Sequence, residues 1–117
     1  MKIIVTGGRD YSGETNKFYL FFVLAKIRLL DEIIQGGATG ADELAREFAK
    51  QNNIKCTTYH ADWGNHGRAA GPIRNEQMLK ENPDAVILAF PGGRGTADCV
   101  KKAKALKMRV IEIPVRE

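Results

Sequence analysis

Three times in this chain a short apolar run stops at a glycine pair, and no other feature constrains the fold as tightly. Lys2-Ile3-Ile4-Val5-Thr6 runs into Gly7-Gly8, Glu32-Ile33-Ile34-Gln35 into Gly36-Gly37, and Ala85-Val86-Ile87-Leu88-Ala89-Phe90 into Pro91-Gly92-Gly93. Continuous apolar runs of this length, rich in Ile and Val, read as strands buried on both faces, the environment of a parallel sheet. Helical patterns follow each glycine pair. Residues 15–30 carry Phe18, Phe21, Phe22, Ala25 and Leu29 at helical spacing. Ala41, Leu44, Ala45, Phe48 and Ala49 recur on one helix face, and Thr39 with Asp42 resembles a capping box at its start. Ile54 to Tyr59 alternates like another strand. Ala61 to Gly71 shows no periodicity and reads as a long loop, after which Pro72 opens a helix to about Lys80 that Asn82-Pro83-Asp84 stops. A last helix puts Cys99, Val100, Ala103 and Leu106 on one face, and Val110–Ile113 reads as a fifth strand.

Five strands alternating with four helices predict one α/β domain over residues 1–117. The expected architecture is a Rossmann-like three-layer sandwich: a five-stranded, mainly parallel sheet with helices on both faces and right-handed crossovers. Such sheets bind ligands beyond the carboxyl ends of their strands, where the strand order reverses. The glycine pairs fall at those ends for three strands, so they are expected to converge on one site.

Composition excludes several classes. Cys56 and Cys99 are the only cysteines and have no CxxC spacing, so neither a disulfide framework nor a zinc site is expected. His60 and His66 are the only histidines, too few for a metal set, and no cofactor is expected. The opening apolar run is too short for a secretory signal, and no stretch approaches the ~20 apolar residues of a membrane span. The reading is a cytoplasmic protein with reduced thiols and no membrane partner. The net charge of +4 draws on Lys101, Lys102, Lys104, Lys107 and Arg109 near the C-terminus. That run is either a solvated helix face or a nucleic-acid surface.

Each glycine loop brings polar groups. Pro91, Gly92, Gly93, Arg94, Gly95 and Thr96 precede a helix whose free backbone N–H groups and positive end suit a phosphate or carboxylate. The loop is not a Walker A motif, since no Gly-Lys-Ser/Thr follows, and it lacks the third glycine of a dinucleotide fingerprint. Gly36, Gly37 and Gly40 form a second loop. Asp42 in the first helical turn there would repel a phosphate, so it either meets ribose hydroxyls or only caps its helix. Gly7, Gly8, Arg9 and Asp10 make the third, with Arg9 suited to a phosphate and Asp10 to a hydroxyl or base edge; a surface ion pair is the alternative. Tyr59 and Trp63 offer faces on which a base can stack, or else anchor the long loop by packing. Cys99, on the apolar stripe of its helix, reads as a buried, inert thiol.

These motifs, with Ala61-Asp62-Trp63, His66-Gly67 and Ala70-Gly71-Pro72-Ile73-Arg74-Asn75 with Met78, resemble the YspA-like members of the SLOG superfamily over nearly the whole chain. That superfamily comprises Rossmann-like proteins that bind nucleotides, NAD or ADP-ribose derivatives. It includes the LOG phosphoribohydrolases and is related to DNA-processing protein A. The resemblance implies a ligand-binding role for Arg74 and Asn75. Pro91, Gly92, Gly93, Gly95 and Thr96 match the LOG motif Pro-Gly-Gly-x-Gly-Thr-x-x-Glu, and Arg74 and Met78 match its Arg-x-x-x-Met. The catalytic Glu of that motif is Cys99 here, with Asp98 one residue early. A shift of one residue turns a side chain about 100° around the helix.

Three functions remain open on this reading. The first is sensing or sequestration of a nucleotide-derived ligand such as an ADP-ribose or NAD derivative. The second is a nucleotide N-glycosidase or phosphoribohydrolase with Arg74 and Asp98 as catalytic residues. The third is DNA binding of the DNA-processing type. Phe18, Tyr19, Phe21 and Phe22 put aromatics on more than one face of the first helix, which predicts a homo-oligomer formed through it.

Overall fold

The computed structural model describes residues 1–115. Five strands form one sheet in the order β3-β2-β1-β4-β5: β1 (Lys2–Thr6), β2 (Glu32–Gln35), β3 (Lys55–Thr58), β4 (Val86–Ala89) and β5 (Val110–Glu112). Every adjacent pair is parallel, with Ile3 opposite both Ile33 and Val86, and Ile4 opposite Ile34 and Ile87. The chain builds outward from β1 to β3, then returns to the other side of β1. The strand order therefore reverses between β1 and β4, and the carboxyl ends of these two strands leave a crevice.

Side-chain alternation along the strands divides the core in two. Ile3, Val5, Ile33, Leu88 and Phe90 face α1 (Glu14–Ala25) and α2 (Ala41–Gln51). Ile4, Ile34 and Ile87 face the opposite way, onto Met78 and Leu79 of α4 (Ala70–Glu81) and Cys99 and Ala103 of α5 (Arg94–Ala105). The result is a Rossmann-like α/β fold of three layers. Truncating any of the fully buried strand isoleucines to alanine would cost about 2–5 kcal/mol.

Three elements depart from the sequence reading. The first helix ends at Ala25, not near residue 30: the Lys26 and Ile27 amides close a tightened last turn onto the Val23 and Leu24 carbonyls at 3.2 and 3.1 Å, and beyond it Leu29 turns at φ 61°, its carbonyl accepting from the Met1 ammonium at 2.8 Å. Its buried stripe is Leu20 and Leu24, whereas Phe18 and Phe22 are 72% and 48% exposed. Both sets have four-residue spacing, so periodicity alone could not choose between them. The aperiodic stretch is not one loop. Asp62 caps a short helix α3 (Trp63–His66), accepting from the Asn65 amide at 3.2 Å, and a 3-10 turn over Gly67–Ala69 follows. Helix α4 then starts two residues before Pro72, whose missing N–H still falls in the first turn, where no intrahelical acceptor exists. In the last helix Cys99, Val100 and Ala103 are buried as expected, but Leu106 lies past the helix end and is exposed. Among the described residues, no helix is long and apolar enough to cross a membrane.

Candidate functional site

A cavity of about 540 Å³ occupies the crevice beyond β1 and β4. Its walls are the three glycine loops, the starts of α4 and α5, and the α3 segment.

The loops are stitched together by backbone. The Gly8 amide donates to the Pro91 carbonyl at 2.9 Å, and the Gly8 carbonyl accepts from the amides of Tyr11 and Ala41, each at 3.1 Å. Gly40 holds φ 76°, and a Cβ there would collide with the Gly8 carbonyl, so only glycine lets the first two loops touch.

Asp42 does not form the capping box that its spacing suggests. Its Oδ2 accepts from the amides of Gly36 and Ala38, each at 3.2 Å, closing the loop before its helix, while Thr39 Oγ1 turns away to donate to the Arg9 carbonyl. The helix start at Gly40 has no side-chain cap. Burial pushes the Asp42 pKa above the usual carboxylate value, against the opposing pull of the Ala38 amide and the Arg74 charge.

Arg74 enters the cavity from the first turns of α4. Its Nη1 donates to the Gly36 carbonyl at 2.6 Å and its Nε to Asn75 Oδ1 at 2.9 Å. The acids that might have paired with it are engaged elsewhere: Glu76 with Lys80 at 3.4 Å, Asp62 with Asn65. Asn75 Nδ2 in turn donates to the Gly95 carbonyl at 3.2 Å and to Asp98 Oδ2 at 3.0 Å. Lys102 Nζ donates to that same Oδ2 at 3.0 Å and to the Pro72 carbonyl at 2.9 Å. One polar chain thus crosses from the β2 loop through α4 to α5. It fixes the Asp98 carboxylate as an acceptor of two hydrogen bonds.

The start of α5 carries backbone donors of the kind that suit an anion. Gly93 is its N-cap, and the Ala97 amide makes the first turn's bond to the Gly93 carbonyl at 3.0 Å. The amides of Arg94, Gly95 and Thr96 come before that bond and have no intrahelical acceptor. A Cβ on Gly95 would meet nothing within 4 Å, so the approach to these amides is open.

Of the residues singled out in the sequence, Gly7, Gly8, Arg9, Asp10, Gly36, Asp42, Arg74, Asn75, Gly93, Arg94, Gly95, Thr96 and Asp98 line this one cavity. Gly37, Gly40, Pro91 and Gly92 do not line it: Gly37 packs on Thr58 and His60, Gly40 on the Gly8 carbonyl, and Pro91 and Gly92 line a second cavity between α5 and β5. Trp63 lines the cavity as well, with the Arg9 guanidinium 5.5 Å from its ring centre. Tyr59 does not, and its hydroxyl donates to Glu81 at 2.8 Å. Arg68 and Ala38 are lining residues that the sequence reading missed, as are Thr6, Val5, Gly71, Pro72 and Met78. Arg68 sits in the aperiodic stretch, on the 3-10 turn that follows α3. Cys99 is fully buried, and burial pushes its thiol up to about 11, so it carries no nucleophilic chemistry at neutral pH. Among the described residues, no three His, Cys, Asp or Glu side chains cluster as a metal site.

The model of the YspA, cpYpsA-related SLOG family matches residues 1–66, which run from β1 through α3. The chain belongs to that family. Gene 61 protein of Mycobacterium phage D29 is 40% identical over 118 residues, covering 94% of each chain. The family match includes the first two glycine loops and Trp63; the phage alignment is long enough to take in Arg74 and the α5 cradle of this SLOG protein as well. No solved structure matches it.

Proposed function

We propose that this SLOG protein binds a small nucleotide-derived ligand, such as an ADP-ribose or NAD derivative, in order to sense or sequester it. The observation that carries the reading is the cavity at the β1/β4 reversal, walled by three interlocked glycine loops and four arginines, Arg9, Arg68, Arg74 and Arg94. Its volume suits a small molecule. A phosphate fits the open amides of α5 with Arg74 and Arg94 beside them. The buried Asp42 fits a ribose hydroxyl. Two of the C-terminal lysines that suggested nucleic acid are committed locally, Lys102 to Asp98 and Lys104 to Glu112 at 3.1 Å.

Hydrolysis of an N-glycosidic bond would call on Asp98, which is on the cavity wall but already takes hydrogen bonds from Asn75 and Lys102.

The test is a thermal melt against AMP, ADP-ribose and NAD. A ligand at ~100 times its dissociation constant adds ~2.7 kcal/mol, which raises the midpoint of a domain of this size by roughly 10 °C or more. At least one of the three should do so, with no free base or nicotinamide released. If none moves the midpoint, the nucleotide reading is wrong. Release of base would make the protein an enzyme.

A further inference from the structure

Trp63 is the only tryptophan in the chain, and it is half exposed on the wall of the cavity. It belongs to a four-residue helix none of whose side chains is buried, so much of its ring is left uncovered at the cavity. The indole spans the cavity's edge. Its Cη2 lies 3.4 Å from where a Cβ on Gly71 would be, at the start of α4, and the Arg9 guanidinium from the β1 loop stands over its ring at 5.5 Å. Two flat, π-compatible groups, one from α3 and one from the β1 loop, therefore meet in a cavity otherwise built of glycine backbone, charge and a few aliphatic contacts. A half-exposed indole and an unburied guanidinium hold each other only weakly, because a cation–π contact at an exposed site is a small interaction.

We propose that Trp63 and Arg9 form the clamp that recognises the flat aromatic base of the ligand, and so determine that a nucleotide is taken in preference to a bare sugar phosphate. This rests on the nucleotide reading above and adds to it the moiety selected. The base stacks on the indole, and the Arg9 guanidinium covers it or the indole face beside it. The phosphate end remains with α5. A saturated sugar phosphate satisfies the anion seat but leaves the Trp63 face in water. Base–aromatic stacking makes the difference about tenfold to a hundredfold in affinity.

The experiment compares AMP with ribose 5-phosphate by calorimetry, on the unaltered protein, Trp63→Phe and Trp63→Leu, with tryptophan fluorescence read in parallel. The unaltered protein should bind AMP about 10- to 100-fold tighter than ribose 5-phosphate, and AMP alone should quench the single tryptophan. Trp63→Leu should bring AMP down to the affinity of ribose 5-phosphate without changing the latter, and Trp63→Phe should restore most of the preference. The clamp is overturned if the two ligands bind the unaltered protein alike, if Trp63→Leu leaves AMP unaffected, or if it weakens both ligands equally. Failure of the unaltered protein to bind either ligand would overturn the clamp, and failure with ADP-ribose and NAD as well would sink the nucleotide reading itself. Binding of AMP that ignores Trp63 removes the clamp alone.

Discussion

Arg74 donates to the carbonyl oxygen of Gly36 at 2.6 Å, across 38 residues of chain. The bond ties the start of one helix to the loop at the end of a strand, and both residues line the cavity between them. It also gives the arginine a structural task in addition to any contact with a ligand.

Arg74→Ala should therefore show two separable effects. Losing the Gly36 and Asn75 bonds lowers the melting midpoint of the free protein by the equivalent of about 1 kcal/mol. Losing a charged contact to a ligand phosphate weakens AMP binding by a further 1.5–3 kcal/mol or so. Melting both proteins with and without AMP separates the two. A destabilised variant that binds AMP normally would confine Arg74 to the structural task.

Gly40 and Gly95 make opposite predictions. At Gly40 a left-handed φ of 76° costs a Cβ-bearing residue about 1–2 kcal/mol before the collision with the Gly8 carbonyl is counted, so Gly40→Ala should be strongly destabilising. Gly95 sits in the first turn of α5 with open space where its Cβ would go, and Gly95→Ala should stabilise the free protein by up to about 1 kcal/mol. The same methyl group crowds the anion seat. Higher stability with weaker AMP binding is the expected pair of results in denaturation and calorimetry, and unchanged binding would place the phosphate elsewhere.

Asp42 gives a pH signature. Burial raises its folded pKa above the ordinary 3.8, so the folded state holds the proton more tightly than the unfolded chain. Stability attributable to this group is present below pH 3.8 and falls as pH rises from there through the raised value. Asp42→Asn keeps an acceptor for the Gly36 and Ala38 amides and removes the titration. Chemical denaturation at steps of pH should show the variant gaining on the unaltered protein across that window. A constant difference at every pH would mean that burial is not what governs this carboxyl.

Helix α1 carries Phe18 and Phe22 in solvent, with the Lys26 ammonium 4.4 Å from the Phe22 ring centre. Light scattering at micromolar concentration should give a mass above the monomer's, falling to the monomer's in Phe18→Ser, whose stability changes by no more than about 0.5 kcal/mol. A monomeric mass for the unaltered protein would remove α1 as an association surface.

The strands were legible because burial on both faces writes an uninterrupted Ile/Val/Leu run, and the loops because glycine pairs punctuate it. Arg74 was legible for another reason, its place in a motif shared with related proteins. What the sequence hid depends on contacts distant in the chain. Asp42 has the spacing of a cap, yet the nearby Gly36 and Ala38 amides compete successfully for its oxygens. Leu20 and Leu24 are the buried stripe of α1, while Phe18 and Phe22, at equal spacing, stand in solvent, a choice that packing with the rest of the chain makes and periodicity does not. Arg68 reaches the cavity through a helical turn too short to leave a periodic trace.

The position of β1 in the sheet has a consequence for how the molecule is made. It is made before both of its neighbours and is the central strand of the sheet, flanked by β2 at residues 32–34 and by β4 at residues 86–89. During synthesis its first neighbour emerges early, but the edge reserved for β4 stays open until some three-quarters of the described chain has been translated. For that interval Ile3, Ile4 and Val5 present an apolar, unpaired border of the kind that recruits strands from other chains. Conditions that slow translation between β2 and β4 should therefore favour aggregation of the nascent protein, even though the completed molecule seals this border inside the sheet.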